Sequence, residues 1–187
     1  MKKPLPNIAS IQSGVYAKPT LAGTVKYLQS RHFDKDHQFC SDVKSEILFD
    51  DKLSKHLLKQ GDILIAVKGY DHFAVLYSDQ MGQAVASTVF LVIRSVSNNV
   101  LPEYLTWYLN HPHVQSYLKT VSKGTNLPSI TIADMQEIEV PIPSLETQQN
   151  VLQLHDLHQQ EITIKRKLEH LHELSLQQQI INAINQS

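Results

Sequence analysis

Cysteine, glycine, long apolar runs and an excess of either charge are all scarce in this sequence, and each shortage closes a class of explanation. The single Cys40 among 187 residues cannot close an intrachain disulfide or form a zinc knuckle, which points to a reducing compartment. Six glycines and eight prolines are too few for a collagen-like or low-complexity chain. The longest clean apolar runs, Ile63 to Val67 and Val89 to Ile93, are five residues each, against the roughly 20 that cross a bilayer. Met1-Lys2-Lys3 continues as Pro4-Leu5-Pro6-Asn7 and not as an apolar stretch, so the expectation is a cytoplasmic protein, neither secreted nor membrane-spanning. With 17 basic and 18 acidic residues the net charge is −1, which argues against coating nucleic acid by bulk charge.

What is present is a globular composition. Hydrophobic residues make up 42% and charged residues 19%, enough to bury a core, and the length predicts one domain with an appendage. The near-zero charge hides an asymmetry. Residues 1–70 hold 11 Lys and Arg against 7 Asp and Glu, whereas the remainder holds 6 against 11. A basic N-terminal portion joined to an acidic remainder can present a local phosphate-binding face.

The first 143 residues read as strand-dominated. Gly61 to Gly69 is an apolar, branched run closed by glycines, as expected of a strand buried on both faces. Ala84 to Ile93 reads as a second strand region, long enough to be bent or bulged. Val25 to Gln29, Ala74 to Tyr77 and Ile138 to Pro141 are weaker strand candidates, with turns marked by Gly14, Gly23 and Asp79 to Gly82. Pro102 to Leu109 opens with Pro and Glu and continues with helical spacing. His111-Pro112 starts a second helix that stops by Gly124, and Thr131 with Asp134 predicts a capping box for a short third one.

After Pro141-Ile142-Pro143 the composition changes. From Ser144, a good N-cap, to Ser187 there is no Gly or Pro, which predicts one long helix of about 60 Å at 1.5 Å per residue. Leu154, Leu157, Ile164, Leu168 and Leu171 fall on one stripe, and Val151, Ile162, Leu176, Ile180 and Ile184 on a second. A helix apolar on two faces needs two covers. The expectation is therefore a domain at 1–143 and an association helix at 144–187.

Signatures of catalysis are missing. No GxGxxG or GxxxxGK[ST] loop follows a strand, no GxSxG elbow surrounds Ser10 or Ser13, and Cys40 lacks a nucleophile's context. His155 with His158 and His170 with His172 belong to no HExxH pattern and have no cysteine beside them, so no metal or cofactor is expected. What remains is recognition. Tyr16, Lys18, Lys26, Arg31, Lys68, Tyr70, Lys123, Thr125 and Asn126 mix cations, aromatics and small polar groups at loops and strand ends. Such residues suit phosphate positioning and base-edge readout.

The order of the segments carries a resemblance. Ile11-Gln12-Ser13-Gly14, Val25-Lys26-Tyr27-Leu28, Gly61-Asp62-Ile63-Leu64-Ile65-Ala66, Val85-Ala86-Ser87 and Leu101-Pro102-Glu103-Tyr104-Leu105 follow one another along the chain. Gly124-Thr125-Asn126-Leu127, then Ile138-Glu139-Val140-Pro141-Ile142-Pro143 and Glu146-Thr147-Gln148 lead into the long helix. This succession resembles the target recognition domain of type I restriction-modification specificity subunits. The resemblance implies an α+β fold, in which a mostly-β recognition domain with small helices precedes a long helix that forms a coiled coil. It further implies a non-enzymatic DNA reader that directs a methyltransferase subunit and a restriction subunit to a split target. Members of that family carry two recognition domains and two long helices, and this chain has one of each. The expectation is a half-length subunit that restores the second half by forming a homodimer on the Leu154, Leu157, Ile164, Leu168, Leu171 stripe and reads a palindromic site. The competing expectation is a coiled-coil scaffold whose globular domain binds protein.

Overall fold

The computed structural model describes residues 1–20, 23–122 and 127–185. The chain divides into two compact units, Met1–Gln148 and Gln149–Ser187. The first is built on three small sheets. A four-stranded sheet has the order β2 (Ala9–Ser13), β8 (Phe90–Ser95), β5 (Ile63–Ala66), β6 (Ala74–Leu76), all antiparallel. A three-stranded sheet places β3 (Val25–Leu28) between β4 (Ser45–Ile47), antiparallel to it, and β7 (Ala84–Ala86), parallel to it. The third is the pair β1 (Lys2–Pro4) and β9 (Glu139–Pro141).

Strand periodicity decides where the core sits. Leu64 and Ala66 of β5, Phe90 and Val92 of β8, Ala84 and Ala86 of β7 and Leu28 of β3 meet in one cluster contributed by both larger sheets. Phe33, Phe73 and Phe90 fill its centre edge to face, with ring centroids 5.8 to 6.1 Å apart. The alternate residues Ile63, Ile65 and Ile93 are fully buried too, so β5 is covered on both faces, as its unbroken apolar run predicts. Val25, Tyr27, Ile47 and Val85 form a second cluster on the other face of the three-stranded sheet.

The Ala84 to Ile93 region is two strands in two different sheets. Between them Ser87 donates its N–H to Leu28 O at 2.9 Å and accepts the N–H of Phe90 at 2.9 Å, closing a turn. β1, β2 and β4 carried no clear signal in the sequence, being three to five residues long and rich in Lys, Pro, Ser and Glu.

Three helices complete the first unit: α1 (Pro102–Leu109), α2 (Pro112–Val121) and α3 (Ile132–Gln136). The expected Thr131–Asp134 capping box is formed in both directions. Asn110, just past α1, pairs with the outer edge of β6, accepting from Ala74 N at 2.9 Å and donating to Ala74 O at 2.7 Å. Tyr104 and Tyr108 of α1 donate their hydroxyls to Pro141 O and Glu139 O, fastening β9.

A single helix, α4, runs through Leu145–Asn185, 41 residues, and Ser144 Oγ accepts the N–H of Thr147 at 3.2 Å as its N-cap. Its first turn belongs to the first unit because of Gln148, whose side chain is fully buried. The Gln148 Oε1 atom accepts the N–H of Leu101 at 2.9 Å, and its Nε2 donates to Asn99 O at 2.8 Å and Pro143 O at 3.0 Å. Both N–H groups of that amide and its carbonyl oxygen are engaged. Gln148→Leu keeps the volume but strands one N–H and two carbonyls, so it is expected to cost about 2 kcal/mol and lower Tm by about 4 to 8 °C. An unchanged calorimetric Tm would show that these contacts carry no stability.

Candidate functional site

Two segments that carry residues predicted to contact DNA are fastened to the turn at 87–89. Gly14 lies so close to this turn that a Cβ on it would stand 2.1 Å from Ser87 O, so only glycine permits the approach. Val15 then bridges Ser87 in parallel, and Val15 N donates to Ala86 O at 2.8 Å. Tyr27 of β3 reaches the same segment, donating its hydroxyl to Val15 O at 2.9 Å and accepting from Ala17 N at 3.4 Å. The segment carrying Tyr16 and Lys18 is thus clamped from two elements, while Tyr16 stays 76% exposed.

On the other side of the turn, Val67 donates its N–H to Val89 O at 2.8 Å. Lys68 follows, exposed, with its Nζ donating to Thr88 Oγ1 at 3.3 Å. Gly69 has φ +102 and donates to Pro128 O at 2.9 Å, and Lys68 itself bridges Ser129. That positive φ turns the chain so that Tyr70 stands 73% exposed. A cation, a hydroxyl and two solvent-facing aromatic rings therefore occupy loops fastened to one short turn. Thr88 was not singled out in the sequence, where it reads as part of an apolar strand region.

Lys26 and Arg31 hold other positions. Lys26 lies on β3 with its ammonium 5.3 Å from the Phe39 ring centroid, a cation–π contact on the outer part of the core. Arg31 follows β3 in a short 3-10 turn, where its Nε donates to His32 Nε2 at 3.2 Å and its Nη2 reaches Glu46 Oε2 at 3.5 Å. The guanidinium side of that pair is 61% exposed, so it is a weak surface pair that a phosphate can displace. Burial and the neighbouring Arg31 charge hold His32 below the usual imidazole range. Lys123, Thr125 and Asn126 lie outside the described residues.

Asp62, within the Gly61-Asp62-Ile63-Leu64 segment, is 1% exposed and takes Arg94 in a two-pronged ion pair. Arg94 Nε and Nη2 approach Oδ1 and Oδ2 at 2.7 and 2.6 Å, and Lys59 N donates to Oδ2 at 2.8 Å. The hydrogen-bonded carboxylate beside it raises the Arg94 pKa further, so the guanidinium keeps its charge. This pair joins β5 to β8 and is structural.

A cavity of about 240 Å³ lined by Lys2, Tyr108, His113, Tyr117, Glu137 and Glu139 contains none of the residues predicted to bind DNA. Among the described residues no group of three or more His, Cys, Asp or Glu side chains is placed to hold a metal ion, and His158 faces Glu161 at 3.6 Å on α4. Among the described residues no helix is long and apolar enough to cross a membrane. On α4 the stripe residues Leu154, Leu157, Ile164, Leu168 and Leu171 are between 51% and 68% exposed.

This fold, small mixed sheets followed by one long helix, matches part of solved S subunits of type I restriction-modification systems. The chain superposes on one from M. genitalium with a TM-score of 0.60 at 14% identity, covering 86% of this chain and 39% of that one. It superposes on the HsdS subunit from Thermoanaerobacter tengcongensis with a TM-score of 0.61 at 17% identity, covering 87% and 38%. Residues 11–185 match the type I restriction modification DNA specificity domain, and the chain belongs to that family. Over 104 residues it is 33% identical to the specificity subunit of the type I restriction enzyme HindI of Haemophilus influenzae, covering 54% of this chain. The match covers 23% of that relative's length.

Proposed function

We propose that this chain is a specificity subunit that acts as a homodimer. Residues 1–143 read one half of a DNA target and residues 144–187 join and space two copies in a coiled coil. Two identical domains then read the same short sequence on opposite strands, giving a bipartite palindromic target whose halves are separated by about 34 Å per helical turn. The dimer directs a methyltransferase subunit and a restriction subunit to that site, and the chain itself performs no catalysis and holds no cofactor. The carrying observation is a helix whose five stripe residues are all exposed, in a family match that spans this helix and the unit before it.

The DNA face is assigned to Tyr16, Lys18, Lys68 and Tyr70 on segments joined to the 87–89 turn and to Lys26 and Arg31 beyond it; Lys123, Thr125 and Asn126, outside the described residues, are proposed as contacts from the sequence alone. The purified chain is expected to bind duplex DNA in a salt-dependent way and to transfer no methyl group from S-adenosylmethionine. Replacing Lys18, Arg31 or Lys68 by Ala should weaken binding to all sequences and lower the salt slope by about one unit each. A slope unaltered by the triple change removes these residues from the DNA face. Binding to DNA that is absent at low salt would favour the protein-binding scaffold instead.

A further inference from the structure

The loop between β5 and β6 is fastened at its base and lightly held at its tip. Ala66 N donates to Phe73 O at 2.8 Å and His72 Nδ1 lies 3.2 Å from Ala66 O, while Gly69 N is held on Pro128 O. At the tip, formed by Tyr70 and Asp71, one polar contact is made among the described residues: His37 Nε2 stands 3.2 Å from Asp71 Oδ2. The His37 ring also lies flat on Phe73, with centroids 4.2 Å apart and planes 5° from parallel. Phe73 is 5% exposed and packed edge to face against Phe33 and Phe90, so His37 ties the tip to the core.

His37 holds this position at a backbone cost. Its φ is +60, in the left-handed region, and among the described residues no other residue except glycine has a positive φ. Glycine takes that conformation freely, so the backbone does not call for histidine here, and the two contacts of the ring are what it contributes. A closed turn imposes the conformation. Asp34 N donates to Gln38 O and His37 N to Asp34 O, both at 2.9 Å, and Asp34 Oδ1 accepts Asp36 N and Gln38 N at 2.9 and 2.8 Å. We infer that His37 is a positioning residue for DNA recognition, and that its ring, stacked on Phe73 and joined to Asp71, sets how the loop presents Tyr70. The inference rests on the DNA face proposed above. The side chains of His37 and Asp71 are 35% and 77% exposed, so their contact alone is weak and the stack on Phe73 supplies the fixed end.

The test uses the full chain and the duplex it enriches from a random-sequence pool, and reads its preference, the affinity for that duplex over the pool. His37→Gly relaxes the turn and removes both ring contacts. Preference should fall about fivefold, the scale of one ring stack with one exposed polar contact. Tyr70→Ala should lower it too, and His37→Gly added to Tyr70→Ala should lower it no further, because the brace then has nothing to present. Losses that multiply in the double variant give His37 a role apart from Tyr70 and overturn the inference. Backbone amide relaxation without DNA is an independent arm. Residues 69–71 should gain nanosecond motion in His37→Gly, and an unchanged tip overturns the bracing. Asp71→Ala leaves the turn and the stack on Phe73 in place, so it separates bracing from any loss of folding in His37→Gly. It should lower preference with the same coupling to Tyr70, and full preference in Asp71→Ala overturns the inference. A parent chain that enriches no duplex fails the DNA reading and the inference with it, whereas failure of the inference alone leaves enrichment by the parent intact.

Discussion

Leu168→Glu combined with Leu171→Glu should turn the proposed dimer into a folded monomer. Each copy loses two seam leucines, and burying a leucine is worth about 2 kcal/mol, so four of them represent about 8 kcal/mol of association energy. Four unpaired carboxylates in the seam add a desolvation penalty. Dimer affinity should therefore fall by more than about 10⁴-fold, well beyond micromolar working concentrations. Both positions lie in the second unit, so the melting of Met1–Gln148 should not change. Sedimentation equilibrium decides the matter. A dimer surviving the double change, or an unaltered chain that sediments as a monomer at about 10 to 50 μM, within the concentration range where such seams associate, refutes the helix-mediated assembly.

Asp62→Ala is expected to be the most damaging single change within the first unit. It leaves the Arg94 guanidinium against a site whose carboxylate was 1% exposed, and it strands the Lys59 N–H that the carboxylate also accepts. Removing one partner of such a pair costs about 3 to 5 kcal/mol, a large share of a domain's stability. Replacing both, Asp62→Leu with Arg94→Met, removes the stranded charge and should recover most of that loss. Urea denaturation of the three proteins measures this. A loss below about 1 kcal/mol for Asp62→Ala would mean that water replaces the carboxylate and that the pair is not structural.

Legibility in the sequence followed the strength of local signals. Five apolar residues between glycines identified β5, and Pro with Glu in a first turn identified α1, because burial on both faces and end chemistry leave marks on consecutive residues. The absence of Gly and Pro after Ser144 showed α4 from end to end. The split of Ala84 to Ile93 was not legible, since β-branched composition continues through the turn and only contacts with Gly14 and Leu28, distant in sequence, bend the chain there. For the same reason Thr88 was overlooked beside Lys68. Asp62 and Gln148 stood inside recognisable segments, yet their partners Arg94 and Leu101 lie 32 and 47 residues away, beyond any spacing rule. Of the nine residues proposed for DNA contact, Lys68 reaches the 87–89 turn, Tyr16, Lys18 and Tyr70 follow segments joined to it, and Lys26 and Arg31 have partners of their own.

The side chain of Asn110 has a bearing on how safely this domain folds. β6 is the last strand of its sheet, and an uncovered outer strand presents N–H and C=O groups that invite a strand from another molecule. By offering an amide in place of a backbone, Asn110 takes up both outward groups of Ala74 and imitates one residue of a further strand. The cap arrives with the end of α1, 36 residues later in the chain. A newly made chain whose α1 has not yet docked therefore leaves the Ala74 stretch of that border open, and the docking of α1 covers it, narrowing a period of vulnerability to self-association.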